Sequence, residues 1–182
     1  TIYIILTIVE IIFLLIGKMP LFDTLCLSFG TAGTGGFGVK NDSIASYSTY
    51  NQVVITVFMI LFGINFNAYY LLLTKKVMQA AKNEEVRYYL GIIGLAIVAI
   101  AINTREMFTS FGRAFQQAAF QVGSIITTTG YATTDFNVWP VFSKTILVIL
   151  MFVGACAGST GGGIKVSRLL ILCKSARKEL QL

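Results

Sequence analysis

"TAGTGGFG", residues 31–38, is the stretch on which the reading of this chain turns. Gly33, Gly35 and Gly38 have the G-x-G-x-x-G spacing of a loop that cradles a dinucleotide pyrophosphate. The same residues equally suit an extended run whose backbone carbonyls face a bare cation. Context separates the two. A dinucleotide fingerprint follows a buried strand, opens a helix and is trailed by an acid about 20 residues later. Here Gly38 leads into the polar "VKNDSIASYS", and the stretch twenty residues on is the carboxylate-free "VVITV". The pyrophosphate reading fails on both counts.

Composition points to a membrane. The chain is 55% hydrophobic and only 12% charged, with a mean hydropathy of +0.77, whereas soluble domains carry about 25% charged residues. Its apolar residues fall in blocks at 1–17, 50–73, 88–102 and 141–154. A spanning helix needs about 20 apolar residues, so 50–73 is read as one span. The first block reads as a span rather than a cleaved leader, because it has no basic start and no small-residue cleavage site. The net charge of +6 is distributed as a topology signal rather than a nucleic-acid site. Lys75, Lys76, Lys82 and Arg87 lie in one loop, and Lys165, Arg168, Lys174, Arg177 and Lys178 close the chain. On the opposite side Lys18, Lys40, Arg105, Arg113 and Lys144 are diluted by Asp23, Asp42, Glu106 and Asp135. Basic loops mark the cytoplasmic side, so the glycine runs are expected to face outward. There is no histidine, and Cys26, Cys156 and Cys173 show no C-x-x-C spacing. The usual residues of structural zinc sites and of acid–base catalysis are therefore missing, no enzyme is expected, and the cysteines read as small apolar residues.

Organisation along the chain gives the fold. At an offset of 94 positions Gly36 falls on Gly130, Thr34 on Thr128, Phe37 on Tyr131 and Asn41 on Asp135. The unit is span, short amphipathic helix, Thr/Gly run, span, and it occurs twice. The expected class is an all-α membrane protein of tandem helix–pore-helix–filter-loop–helix repeats. Residues 1–87 hold a first helix, a pore helix at 21–29, a filter run at 31–38, an inner helix at 50–73 and a cytoplasmic loop. Residues 88–182 hold an outer helix at 88–104, a pore helix at 111–123, a filter run at 127–134, an inner helix at 141–173 broken by a glycine-rich loop at 154–163, and a basic cytoplasmic tail. The short helices end where the runs begin, so their partly negative C-termini favour a cation there. Irregular backbone at membrane depth is tolerated only in protein or beside a water-filled cavity, and two such segments in equivalent positions point to a shared path. Phe37 and Tyr131 are expected to wedge each loop against its own helices.

A second phosphate mimic, "GSTGGGIKVS" at 158–167, also fails. A nucleoside-triphosphate loop needs Lys directly after the last Gly and Ser or Thr directly after that Lys. Ile164 separates Gly163 from Lys165, and Val166 follows. The run is instead a break in a spanning helix, either a gate lying across a pore or a packing kink. The equivalent "MILFGINFNAYYLLL" has Gly63 but no such run, so it is read as unbroken. Lys165 has two readings: an electrostatic barrier to a cation, or a lysine reaching to lipid headgroups. Asp135 either attracts cations at the outer mouth or caps a turn. Glu10, a carboxylate in an apolar block, is a functional candidate by default.

"STYNQVVITVFMILFGINFNAYYLLL", "FGTAGTGGFG", "TTTGYATTDFNVWP" and "GACAGSTGGGIKVSRLLILCK" resemble the Trk/Ktr/HKT superfamily of potassium transporters, most closely the bacterial Trk-type potassium uptake membrane subunit. The resemblance implies four repeats around one potassium path, of which this chain matches repeats two and three, starting inside the first helix of repeat two. Repeats one and four of the same polypeptide are then partners outside the chain, since two repeats cannot close a four-fold filter. It implies filter residues Thr34, Gly35, Gly36 and Phe37 with Thr128, Thr129, Gly130 and Tyr131. Potassium, the transported ion, would meet the backbone of Thr34, Gly35, Gly36, Thr128, Thr129 and Gly130, with no organic cofactor. Gly158, Ser159, Thr160, Gly161, Gly162 and Gly163, with Lys165, match the gating loop. It further implies potassium uptake across the bacterial inner membrane, a homodimer in the lipid bilayer, and a cytoplasmic nucleotide-binding regulatory ring (TrkA-like). The alternatives are a sodium-permeable or potassium/sodium co-transporting relative, and a non-transporting membrane scaffold, which has no need of paired Thr/Gly runs.

Overall fold

A computed structural model describes residues 1–181. Its helices are α1 (Ile2–Ile16), α2 (Leu21–Ala32), α3 (Thr49–Phe62), α4 (Phe66–Leu73), α5 (Val77–Ala81), α6 (Glu84–Asn103), α7 (Phe111–Ile126), α8 (Val141–Phe152) and α9 (Val166–Glu179). No strand forms among the described residues; an isolated parallel bridge joins Val153 and Ile164. Polar side chains start several helices where their apolar runs begin. Ser48 accepts from Asn51 N–H ahead of α3, Asn83 from Glu85 and Val86 N–H ahead of α6, and Ser110 from Arg113 N–H ahead of α7. Pro20 and Pro140 stand at the starts of α2 and α8, where no intrahelical N–H bond is lost.

By length and composition, only α6 among the described helices is able to cross a membrane alone. Its 20 residues reach about 30 Å at the helical rise. α1, α2 and α8 are shorter apolar helices. Their outward residues, such as Ile4, Ile8, Ile12 and Ile16 on α1 and Val148, Ile149 and Phe152 on α8, are exposed. Apolar surface this continuous is rare on a soluble monomer and is what lipid-facing helices need.

The single helix expected over 50–73 is two helices. α3 and α4 are long and apolar enough to cross a membrane only when taken together, and they are bent by 92°. The physical reason is a stop signal directly followed by a start signal. Gly63 closes α3, and its missing side chain is required, because a Cβ there would lie 2.0 Å from the Tyr89 hydroxyl oxygen. Asn65 then caps α4, its Oδ1 accepting from Asn67 N–H at 2.8 Å. The glycine-rich loop of the second unit bonds the freed backbone: Cys156 N–H donates to Gly63 O at 3.1 Å, and Phe66 N–H donates to Gly158 O at 3.2 Å. Both inner helices are therefore broken, and the two breaks bond each other.

The two short helices each run three residues beyond the expected 29 and 123, to Ala32 and Ile126. Threonine hydroxyls complete the added turn. Thr31 Oγ1 donates to Leu27 O at 2.7 Å and Thr127 Oγ1 to Gly123 O at 2.5 Å. The first Thr/Gly run, from Thr31, thus begins on the helix, and the second begins at Thr127, the residue that closes α7.

Two apolar clusters hold the units together. One joins Tyr89, Ile93, Ile100, Val122, Ile126 and Leu147 around α6 and α7. The other joins Leu14, Leu27, Ile55 and Met59 of the first unit with Phe120 and Tyr131 of the second. α7 packs on both α6 and α3, so the second short helix is the wall the two units share.

Candidate functional site

The two Thr/Gly runs have the same backbone. α2 ends at Gly33 (φ −88°, ψ 2°) and α7 at Thr127 (φ −85°, ψ −2°). The next residues, Thr34 (φ 52°) and Thr128 (φ 58°), are left-handed. Gly35 N–H then donates to Gly30 O at 2.7 Å and Thr34 N–H to Thr31 O at 3.3 Å. Thr129 N–H donates to Ser124 O at 2.9 Å and Thr128 N–H to Ile125 O at 3.1 Å. This two-bond helix ending usually places glycine at the left-handed position; a β-branched residue there is strained. A local bond offsets part of the strain, with Thr34 Oγ1 donating to Gly33 O at 2.7 Å and Thr128 Oγ1 to Thr127 O at 2.6 Å. Every one of these contacts recurs at the offset of 94 residues.

Positive φ then returns at Gly36 (73°) and Gly130 (89°), with Gly35 and Thr129 between at negative φ. Alternating the sign of φ turns successive peptide planes the same way, so neighbouring carbonyls face one side instead of opposite sides. Only a residue without a Cβ takes this conformation cheaply. The runs also touch: a Cβ on Gly36 would stand 1.9 Å from Thr129 O, whereas one on Gly130 would meet Gly36 Cα at 3.8 Å. Two irregular segments, each fed by a helix C-terminus, thus converge on one place.

Side chains behind the runs fix them. Ser124 Oγ donates to Tyr131 O at 2.6 Å, and the Thr127 and Thr129 hydroxyls bond each other at 2.8 Å. Ser43 Oγ accepts from Ala132 N–H at 3.2 Å, while Ile44 N–H donates to Ala132 O at 3.0 Å. Gln52 Nε2 lies 3.2 Å from the carbonyls of Ile44, Ala45 and Tyr47, which share its two hydrogens, and its Oε1 accepts from Gln116 Nε2 at 2.9 Å. Sequence reading missed Gln52; an amide near the start of an apolar block was the signal. On the outer loop Tyr47 donates to Asp23 Oδ2 at 2.8 Å. Burial first, and Asp23 second, hold its phenol well above the usual range.

The expected wedge by Phe37 and Tyr131 against their own helices does not form. Tyr131 is 1% exposed and crosses to the other unit, where its hydroxyl donates to Leu27 O of α2 at 3.2 Å. Phe37, its equivalent, is 89% exposed. The reason is rotational: the aromatic reaches the neighbouring unit, and the described residues hold such a neighbour for Tyr131 alone. Tyr131→Phe is expected to destabilise the chain by about 1 kcal/mol through the lost hydroxyl bond, measured as a lowered Tm in detergent, with the helix content unchanged.

The glycine-rich loop lies against both threonines. Its neck is closed by Gly154 N–H donating to Ile164 O at 2.8 Å and Ile164 N–H to Phe152 O at 3.2 Å. Gly162 N–H donates to Thr128 Oγ1 at 2.7 Å, and Thr34 Oγ1 lies 3.3 Å from Thr160 O. Ser159 Oγ donates to Cys156 O at 2.6 Å, and Gly158 and Gly163 are left-handed. Lys165 is half-buried and its Nζ donates to Gly161 O, so the ammonium ties the loop to itself. Asp135 is exposed, and its Oδ1 accepts from Asn137 N–H at 2.9 Å to cap a 3-10 turn. Glu10 is fully buried on α1, and neither carboxylate oxygen has a hydrogen-bond partner among the described residues.

A family model described as TrkH, cation transport protein, matches residues 88–181, more than half of the chain. The chain belongs to the TrkH family of cation transport proteins. Similarity to TrkH relatives extends over both units. The Trk system potassium uptake protein TrkH of Salmonella typhimurium is 32% identical over 184 residues, 99% of this chain and 38% of the relative. That of Vibrio parahaemolyticus is 36% identical over 187 residues, and the TrkG protein of Escherichia coli is 32% identical over 170. The chain thus spans less than two fifths of the length of these TrkH relatives. The crystal structure of the potassium transporter TrkH from Vibrio parahaemolyticus superimposes with a TM-score of 0.91 at 34% identity, over 99% of this chain and 40% of that one. At that identity the likeness carries the all-α fold of a membrane transporter and not a shared outline alone.

Proposed function

We propose that this chain forms two consecutive repeats, 1–87 and 88–182, of a four-repeat potassium uptake protein of the bacterial inner membrane. The observation that carries this reading is the exact recurrence, at 94 residues, of a helix C-terminus followed by a run of alternating φ sign. The carbonyls of Thr34, Gly35 and Gly36 and of Thr128, Thr129 and Gly130 replace part of the ion's hydration shell. Phe37 and Tyr131 buttress them from neighbouring repeats. The exposure of Phe37 supports a further repeat beside the first, placed as the first unit is placed beside Tyr131. The loop from Gly158 to Gly163, bonded to Thr128 and lying against Thr34, is the gate, and Lys165 braces its inner side. The relatives named as potassium uptake proteins support potassium as the ion. Basic loops set the cytoplasmic face, where a homodimer would meet a nucleotide-binding ring through residues such as Arg168 and Lys178.

The test is rescue of a potassium-uptake-deficient bacterium by the full-length chain. Growth at limiting potassium, together with rubidium uptake that excess sodium does not displace, is the expected result. Failure to rescue despite membrane insertion, or uptake displaced by sodium, would overturn the assignment.

A further inference from the structure

Glu85, the second residue of α6, accepts hydrogen bonds from three separate elements. Its Oε1 takes Ala157 N–H at 2.6 Å and Ser167 N–H at 3.2 Å, and its Oε2 takes Asn65 Nδ2 at 3.2 Å. Ala157 belongs to the glycine-rich loop, Ser167 to the first turn of α9, and Asn65 to the cap of α4. One carboxylate therefore joins the breaks of both inner helices to the start of α6.

The surroundings make this carboxylate more than a surface contact. α9 has no side-chain cap of its own, so its first N–H groups need an acceptor, and a negative charge at a helix N-terminus is favourable. Hydrogen bonds to a carboxylate are also stronger than neutral ones. The backbone bonds Cys156 N–H to Gly63 O and Phe66 N–H to Gly158 O lie in the same cluster. The neighbouring Glu84 pairs with Lys174 of α9 at 2.5 Å, and that ammonium holds its carboxyl below the usual range. Both partners are exposed, so this pair adds little and Glu85 remains the inner clamp.

We propose that Glu85 is a positioning residue that holds the glycine-rich loop in its closed place, so that the loop leaves only when α9 shifts or the clamp is broken. The proposal rests on the reading of that loop as a gate. A displacement of the basic helix α9, which carries Arg168, Lys174, Arg177 and Lys178, reaches the loop through this carboxylate.

The experiment has two readouts on the full-length chain. One is the rate at which a cytoplasmic thiol reagent modifies Ser159→Cys in a Cys173→Ser background, read at residue 159 by mass spectrometry. The other is rubidium flux into proteoliposomes, with its ratio to sodium flux. Glu85→Ala is expected to speed labelling by about tenfold or more, corresponding to about 1.4 kcal/mol, and to raise flux with the ion ratio unchanged. Glu85→Gln keeps one acceptor oxygen and should fall between, and it is the variant to read if Glu85→Ala elutes as aggregate. Asn65→Asp, which sets a second carboxylate against Glu85, should move labelling in the same direction. Labelling within twofold of the parent in Glu85→Gln and Asn65→Asp overturns the clamp. Faster labelling with no rubidium flux in any variant, the parent included, leaves the clamp standing and overturns the potassium reading instead.

Discussion

Gly36→Ser is expected to lower the potassium-over-sodium preference of the full-length chain by about tenfold or more, the equivalent of about 1.4 kcal/mol. Two effects add at this position. A side chain at φ 73° is strained by about 1–2 kcal/mol. Its Cβ would also stand 1.9 Å from Thr129 O, a backbone atom of the opposing run that has no rotamer with which to yield. The serine must push that carbonyl out of line, and a displaced carbonyl is lost to the ion. Gly130→Ser meets only the first effect, because its Cβ would find Gly36 Cα at an ordinary 3.8 Å. Its loss of preference should therefore be the smaller of the two. Competing rubidium and sodium fluxes in the same vesicles measure both variants. Unchanged preference in Gly36→Ser, or a larger loss in Gly130→Ser, would count against these carbonyls as the ion's ligands.

The sequence carried the repeat more plainly than it carried its joints. The pairing of Gly36 with Gly130 was readable because both positions demand positive φ, and a demand on backbone geometry leaves glycine behind in each copy. The pairing of Thr34 with Thr128 was readable as identity alone; their left-handed backbone was not, since threonine seldom takes it. The break at residues 63–65 was written as Gly63 followed by Asn65, a stop and a cap, but the apolar residues on either side outweighed it. Tertiary bonds from Cys156 and Gly158 decide that break, and no local window contains them. Phe37 and Tyr131 show the same limit from the other side. Their matched positions were visible, yet which unit each ring touches depends on the rotation relating the units. Glu85 was hidden among charges that looked like an ordinary cytoplasmic loop, because its three partners are distant in sequence or belong to the backbone.

Deleting residues 161–163 is expected to raise rubidium flux by about tenfold while changing the potassium-over-sodium ratio far less than Gly36→Ser does. The deletion removes the Gly162 N–H that bonds Thr128 Oγ1, the Gly161 carbonyl that holds Lys165, and the left-handed turn at Gly163. Thr160 is then joined directly to Ile164, and the shortened loop no longer reaches both threonines from its neck at Gly154. Thr128 keeps its own bond to Thr127 O, so the run above is left standing and selectivity with it. A packing kink predicts the opposite. Removing three residues from a well-bonded break would loosen α8 against α9 and lower the flux or leave it unchanged. Combining the deletion with Glu85→Ala sharpens the choice, because residues that act through one element are not additive. If Glu85 works by holding this loop, the double variant should conduct no better than the deletion alone. Independent gains from the two changes would mean that Glu85 acts on flux by some route other than the loop.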